Sequence, residues 1–204
     1  MKLYCMDHTA PSMTTSSSAV DMVTPVEDEK AGMSAKTASR TGAATISAAA
    51  GAHCIFCNVR AGKGFHILFE DDELVVFRDI KPASKHHLQV VPKRHIDNVR
   101  SLRARDVSLV KKLRTAAHRV LDSLGAPSYA GARRLGFHIP PYISVGHLHL
   151  HAHALPFKNA VRGWKYPVRV GNGRTTSKGF SWFVEVDQAV AILERGGKVK
   201  IGSC

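Results

Sequence analysis

The stretch S-V-G-H-L-H-L-H-A-H-A-L, Ser144 to Leu155, sets His147, His149, His151 and His153 two residues apart, with Leu148, Leu150 and Ala152 between them. Two is the strand period, so the pattern predicts four imidazoles on one face of a strand and three apolar side chains on the other. Successive rings then stand about 6.5–7 Å apart. That is too far for mutual hydrogen bonding and suits a phosphate-sized group lying across the face. A neutral imidazole is a nucleophile near neutral pH, and its pKa of about 6.5 lets a neighbouring ring donate a proton in the same cycle. Alternating histidines also serve metal binding, so the flanks must decide. An affinity tag does not fit, because tags are contiguous and terminal.

Working outward, Pro140-Pro141 separates this strand, about 143–155, from another at about 132–138. Ile67–Phe69 and Leu74–Phe77 flank the acidic turn Glu70–Glu73 and read as a hairpin. A third strand, Leu88–Val91, stops at Pro92, which cannot donate to a central ladder. Over about 104–124, Val110, Leu113, Ala117, Val120, Leu121 and Leu124 share one helical face, with Lys111, Lys112, Arg114 and Arg119 off it and Gly125 as the stop. The chain ends with an aromatic strand, Phe180–Val186, and a short helix with Asp187 as N-cap and Gly196-Gly197 closing it. A run of hairpins around one long helix predicts an α+β fold with a mostly antiparallel sheet.

The 204 residues include 29 Lys+Arg and 16 Asp+Glu, a formal charge of +13, with 12 histidines and 44% hydrophobic residues. No apolar run approaches the roughly 20 residues that span a bilayer. Four cysteines are too few for a disulfide scaffold. The charge is uneven. Residues 1–50 have four basic and five acidic residues, so residues 51–204 carry a net +14 and eleven of the histidines. Rich in Ser, Thr and Ala without an apolar period, 1–50 reads as a disordered N-terminal extension. A transit peptide for organelle targeting is the competing reading, given the Ser/Thr/Ala bias with Lys36 and Arg40, and the acidic cluster Glu27–Glu29 argues against it. Cys5 and Cys204 read as free thiols in tails.

Four further motifs settle the flanks: C-I-F-C at 54–57, F-R-D-I-K-P at 77–82, His86-His87, and V-V-P-K-R-H at 90–95. In this order, with H-L-H-L-H at 147–151, they resemble the histidine-triad (HIT) superfamily of nucleotide hydrolases and transferases. The resemblance runs over a core of 54–155. L-G-F-H-x-P-P at 135–141 looks like that of the third type of histidine-triad nucleotide-binding protein, close to the aprataxin catalytic domain. It implies a HIT domain over 51–204, with 156–204 as a looser C-terminal extension.

By the resemblance, His149 attacks the α-phosphate of a nucleotide conjugate and forms a covalent nucleotidyl-histidine that water resolves. His151 contacts the phosphate and helps the leaving group, His147 orients the site, and Ser144 stands near the leaving group. His87 positions the nucleophile. Asp79 and Ile80 match the nucleoside-binding pair. The cycle requires no cofactor. In some relatives a cysteine pair joins two histidines around a structural zinc; here the set would be Cys54, Cys57, His95 and His147. His153 departs from the family, which usually has an apolar residue there, and is expected to be solvent-exposed and idle, with contact to substrate as the other reading.

Cleavage of AMP from phosphoramidate-type conjugates is the leading expectation, in a cytoplasmic or nuclear homodimer joined sheet edge to edge. The alternative is an aprataxin-like hydrolase of DNA adenylates, with Lys158–Arg174 and Lys198–Lys200 holding phosphates and Trp164 and Tyr166 stacking bases. A solvated basic surface is the preferred reading of those stretches, and aprataxin's C-terminal zinc finger has no counterpart here. The third reading is a non-catalytic nucleotide- or partner-binding HIT protein, which the intact His149 disfavours.

Overall fold

Leu74, Val75, Val76 and Phe77 are all buried, so the second strand is covered on both faces. That fixes the layering in the computed structural model, which describes residues 54–204. The expectations for 1–50, including Cys5, lie outside the described residues. The strands are β1 (Ile67–Glu70), β2 (Leu74–Arg78), β3 (Ser84–Pro92), β4 (Arg133–His138), β5 (Leu150–Phe157) and β6 (Phe183–Glu185). The helices are α1 (Val107–Ser123), the one-turn α2 (Ala160–Gly163) and α3 (Val186–Glu194). All pairings are antiparallel, in the order β1-β2-β3-β5-β4-β6. The α+β expectation holds.

One face of the sheet packs on α1 and α3. Leu88 and Val90 of β3, Leu135 and Phe137 of β4, and Leu150 and Ala152 of β5 meet the predicted helix face of Val110, Leu113, Ala117, Val120 and Leu121. Gly125, at φ 67°, takes the left-handed conformation that ends α1. The opposite face carries Phe56, Val75, Phe77 and Val91 on the β2 side, and Tyr166 and Phe183 on the β6 side. The histidines lie between these two clusters.

Several bounds differ from expectation, each for a local reason. β3 begins at Ser84, so His87 lies inside it. The strand expected over 143–155 begins only at Leu150. Before that, Leu148 N–H is held by the Ile96 carbonyl at 2.6 Å, which takes it out of the ladder. The last helix is capped by Glu185 rather than Asp187: Gln188 Oε1 accepts from Glu185 N–H at 3.2 Å, completing a capping box. Asp187 instead pairs with Arg114 of α1. Cys204 is a free thiol but not a loose tail, because its backbone bonds to Ser177 and Lys178.

β6 pairs with β4 through Gly136↔Glu185, Phe137↔Val184 and His138↔Phe183. A side chain at Gly136 would meet the Val184 carbonyl at 2.3 Å and the Phe183 ring at 2.5 Å, so only glycine allows this approach. The edge that β4 would offer to a second copy is therefore occupied. Among the described strands the free edges are those of β1 and β6.

Candidate active site

Register brings the site together. His151 lies between Gln89 of β3 and Gly136 of β4, and His153 between His87 and Arg134. Period two then puts His87, Gln89, His151 and His153 on the face away from α1. His147 and His149 reach the same cluster from the loop before β5. All four histidines of the run are buried, His153 completely. The expectation that His153 is exposed is thus overturned: Phe157, at 5.1 Å between ring centroids, and Tyr166, at 4.2 Å, cover it.

Hydrogen bonds set the protons ring by ring. His149 Nδ1 lies 2.7 Å from the His147 carbonyl, which only accepts, so Nδ1 carries the hydrogen and Nε2 keeps a nucleophilic lone pair. Ala83 N–H donates to His87 Nδ1 at 3.3 Å, so His87 carries its hydrogen on Nε2. That N–H points at His151 Nδ1, 3.0 Å away. His151 in turn must bear its hydrogen on Nε2, a buried nitrogen with no partner among the described residues. A lone pair on one ring and an unpaired donor on the next, with centroids 4.9 Å apart, are what attack on a phosphorus and stabilisation of its oxygens require.

Burial keeps these rings neutral. It pushes His149 and His151 down, and takes His87 and His138 to about 4 despite the pull of Asp79 on His87. An imidazole with a folded pKa below its unfolded value of about 6.5 makes the unfolded chain the better proton binder below that pH. Stability is therefore complete above about pH 6.5 and drains as pH falls towards about 4. The urea midpoint should fall progressively through that window. A midpoint flat from pH 7 to 4.5 would contradict the neutral cluster.

The remaining predicted residues fall at the rim. Asp79 accepts from Lys81 N–H at 2.7 Å and from Gln89 Nε2 at 2.6 Å, and sits 3.6 Å from His87. Ile80 is 83% exposed, an apolar side chain offered to solvent beside that carboxylate. Ser144 is exposed in the β4–β5 loop. Sequence reasoning assigned no role to Gln89, to Phe56, 5.4 Å from the His149 ring, or to His138, 4.8 Å from His151. Gln89 was findable, since it lies two residues from His87 on one strand.

The second constellation also assembles. Cys54 Sγ and Cys57 Sγ lie 3.4 and 3.5 Å from His147 Nδ1, and Cys57 Sγ lies 3.2 Å from His95 Nδ1. Tetrahedral zinc with ordinary Zn–S and Zn–N bonds has S···N edges of about 3.5 Å. Both rings are oriented from behind: His147 Nε2–H donates to the Pro92 carbonyl at 2.8 Å, and His95 Nε2–H to Asp97 at 3.2 Å. Each Nδ1 lone pair is thereby turned towards the sulfurs, as metal-bound histidines are. Without a cation, burial and the neighbouring Cys54 push the Cys57 thiol up to about 11. The donor set fits zinc.

Of the two aromatics proposed for base stacking, Tyr166 is buried against the histidines. Trp164 is 71% exposed and continues through Trp182, 5.3 Å away, to Tyr142, a further 5.7 Å.

Comparison with known proteins gives the family. The family model described as "Scavenger mRNA decapping enzyme C-term binding" matches residues 53–166. A Danio rerio protein named adenosine 5'-monophosphoramidase HINT3 is 38% identical over 145 residues, 70% of this chain and 83% of that one. An Arabidopsis thaliana protein named bifunctional adenosine 5'-phosphosulfate phosphorylase/adenylylsulfatase HINT4 is 41% identical over 55% of this chain and 77% of its own. Aprataxin of Danio rerio is 29% identical over 66% of this chain and 38% of its own. A HIT family hydrolase from Legionella pneumophila, 29% identical, covers 54% of this chain and 99% of its own with a TM-score of 0.47. With the family model spanning more than half its residues, and the zebrafish relative matched over most of its length, the chain belongs to the histidine-triad superfamily.

Proposed function

We propose that this chain hydrolyses AMP–amine conjugates through a nucleotidyl-histidine. The observation that carries the reading is the pairing of the His149 Nε2 lone pair with the partnerless His151 Nε2–H on one buried face. His149 Nε2 attacks the α-phosphorus as the phosphorus–nitrogen bond breaks. The amine leaves with the electron pair of that bond and takes a proton from solvent, while His151 donates a hydrogen bond to a phosphoryl oxygen. Water then attacks the phosphorus, giving its proton back to solvent, and the bond to Nε2 breaks with its electron pair returning to the ring, releasing AMP and restoring the neutral imidazole. The activity named for the zebrafish relative supports this substrate class. Purified protein should release AMP from an AMP–lysine phosphoramidate, and absence of turnover across pH 6–8 would refute the proposal.

In the same reading Cys54, Cys57, His95 and His147 hold a structural zinc. The metal would tie the segment before β1 to the loop whose His147 carbonyl orients His149.

One observation favours a second leaving group. No Asp or Glu occurs between Ser123 and Val184, a stretch with eight Lys and Arg residues and the exposed Trp164. An exposed indole with Arg162 and Lys165 beside it in sequence suits an adenylated nucleic-acid end. Salt-sensitive binding to nicked DNA tests it, and none at low ionic strength removes it.

A further inference from the structure

His153 stands directly opposite His87 in the β3–β5 register. The two rings lie face to face, 4.0 Å between centroids and 23° from parallel. Ser84 Oγ donates to the His86 carbonyl at 2.8 Å, so the hydroxyl is left to accept Nδ1–H of His153 at 3.2 Å. His153 Nε2 is then a lone pair, buried and unpartnered among the described residues. A leucine would fill this volume without an orphan nitrogen, whose burial is unfavourable.

The cluster is not a metal site, although His87, His151 and His153 bring one nitrogen each within 4.8 Å of one another. Imidazole lone pairs lie in the ring plane. Two rings stacked at 4.0 Å aim theirs along near-parallel lines, and no ion meets both.

The stack acts on His87. Its Nε2–H faces two acceptors, His151 Nδ1 at 3.0 Å and Asp79 Oδ2 at 3.6 Å. A carboxylate that close favours the imidazolium. The imidazolium, however, would set a hydrogen on Nδ1 against the Ala83 N–H, and that repulsion would push the ring out of the position from which its Nε2–H fixes the tautomer of His151. From β5 and beyond, His149, His151, His153 and Lys158 face His87; His138 faces it from β4, Tyr166 from the C-terminal segment and Asp79 from the β2–β3 turn. Asp79 alone among these is an anion. Water against the open ring face would side with it by solvating the charged form.

We propose that His153 is a positioning residue: its ring, clamped by Ser84, keeps water off the face of His87 and so holds His87 neutral with Nε2–H on His151. The effect on turnover rests on the reading above, but the state of His87 is readable without substrate.

In protein labelled with ¹⁵N-histidine, the ring resonances of His87 report its protonation and tautomer. In His153→Ala the His87 midpoint should rise by about one pH unit or more. The turnover number for AMP–lysine should fall about tenfold with little change in KM, the pattern of a misplaced proton donor rather than lost binding. His153→Phe, which restores a flat ring, should recover most of both. Ser84→Ala, a smaller change, should shift the midpoint in the same direction. An unmoved His87 titration in both His153→Ala and Ser84→Ala overturns the proposal, as does His153→Phe behaving like His153→Ala. If the titration moves while wild-type protein leaves AMP–lysine intact, the positioning role stands and the substrate reading fails.

Discussion

Replacing His149 with alanine should reduce turnover of an AMP–lysine conjugate by about 10⁴-fold or more, the scale seen when a covalent nucleophile is removed. The expectation follows from how the ring is held. Its Nδ1–H is committed to the His147 carbonyl, so the imidazole presents Nε2 in a single orientation, and burial keeps that nitrogen unprotonated at neutral pH. His147, His87 and His151 cannot substitute. His147 directs its Nδ1 to the two sulfurs, and His87 and His151 each have Nδ1 occupied as an acceptor.

A loss of donor alone is milder. His151→Ala should cost about 10²–10³-fold, as removal of one preorganised oxyanion donor does. The two variants also differ in what accumulates. Substrate labelled at the α-phosphate should leave label on wild-type protein quenched in alkaline denaturant, where a phosphorus–nitrogen bond to histidine survives, and none on His149→Ala. The alanine orphans the His147 carbonyl, a cost of about 1–3 kcal/mol, so melting curves must accompany the rates. Label retained on His149→Ala would move the nucleophile elsewhere and break the assignment.

Much of this arrangement was legible in residue order. Period-two alternation placed His151 and His153 on one face, and the apolar face of α1 was read residue for residue, because both depend on local periodicity. Contacts supplied by distant segments were not legible. His153 reads as exposed in the sequence; its cover comes from Phe157 at the end of the same strand and from Tyr166, brought back over the sheet beyond α2. The strand start at 143 failed because Leu148 and His147 bond across to Ile96 and Pro92, partners about 50 residues away. Asp187 and Glu185 are both acidic residues before an apolar run, and only the reciprocal bond from Gln188 distinguishes the cap. The closure of the β4 edge by β6 rests on Gly136, whose missing side chain matters only once Phe183 is known to lie against it.

The other large effect belongs to the cysteine pair. Protein purified without chelator should contain one zinc per chain, and Cys57→Ser should contain none. Of the proposed ligands Cys57 is the one to remove, because its sulfur faces both His95 and His147, at 3.2 and 3.5 Å. Ligand binding confined to the folded state stabilises by about 4 kcal/mol at a thousandfold excess over Kd. For a domain of this size that corresponds to a fall in melting temperature of about 8–16 °C on losing the metal. The loss should reach the chemistry as well. His147 belongs to the proposed ligand set and, through its carbonyl, sets the tautomer of His149, so freeing its ring would loosen the nucleophile. Cys57→Ser should therefore lower the turnover number more than it raises KM, at a temperature where the variant is still folded. Protein free of zinc that melts and turns over like the wild type would show that these four residues form a packed Cys–His cluster and nothing more.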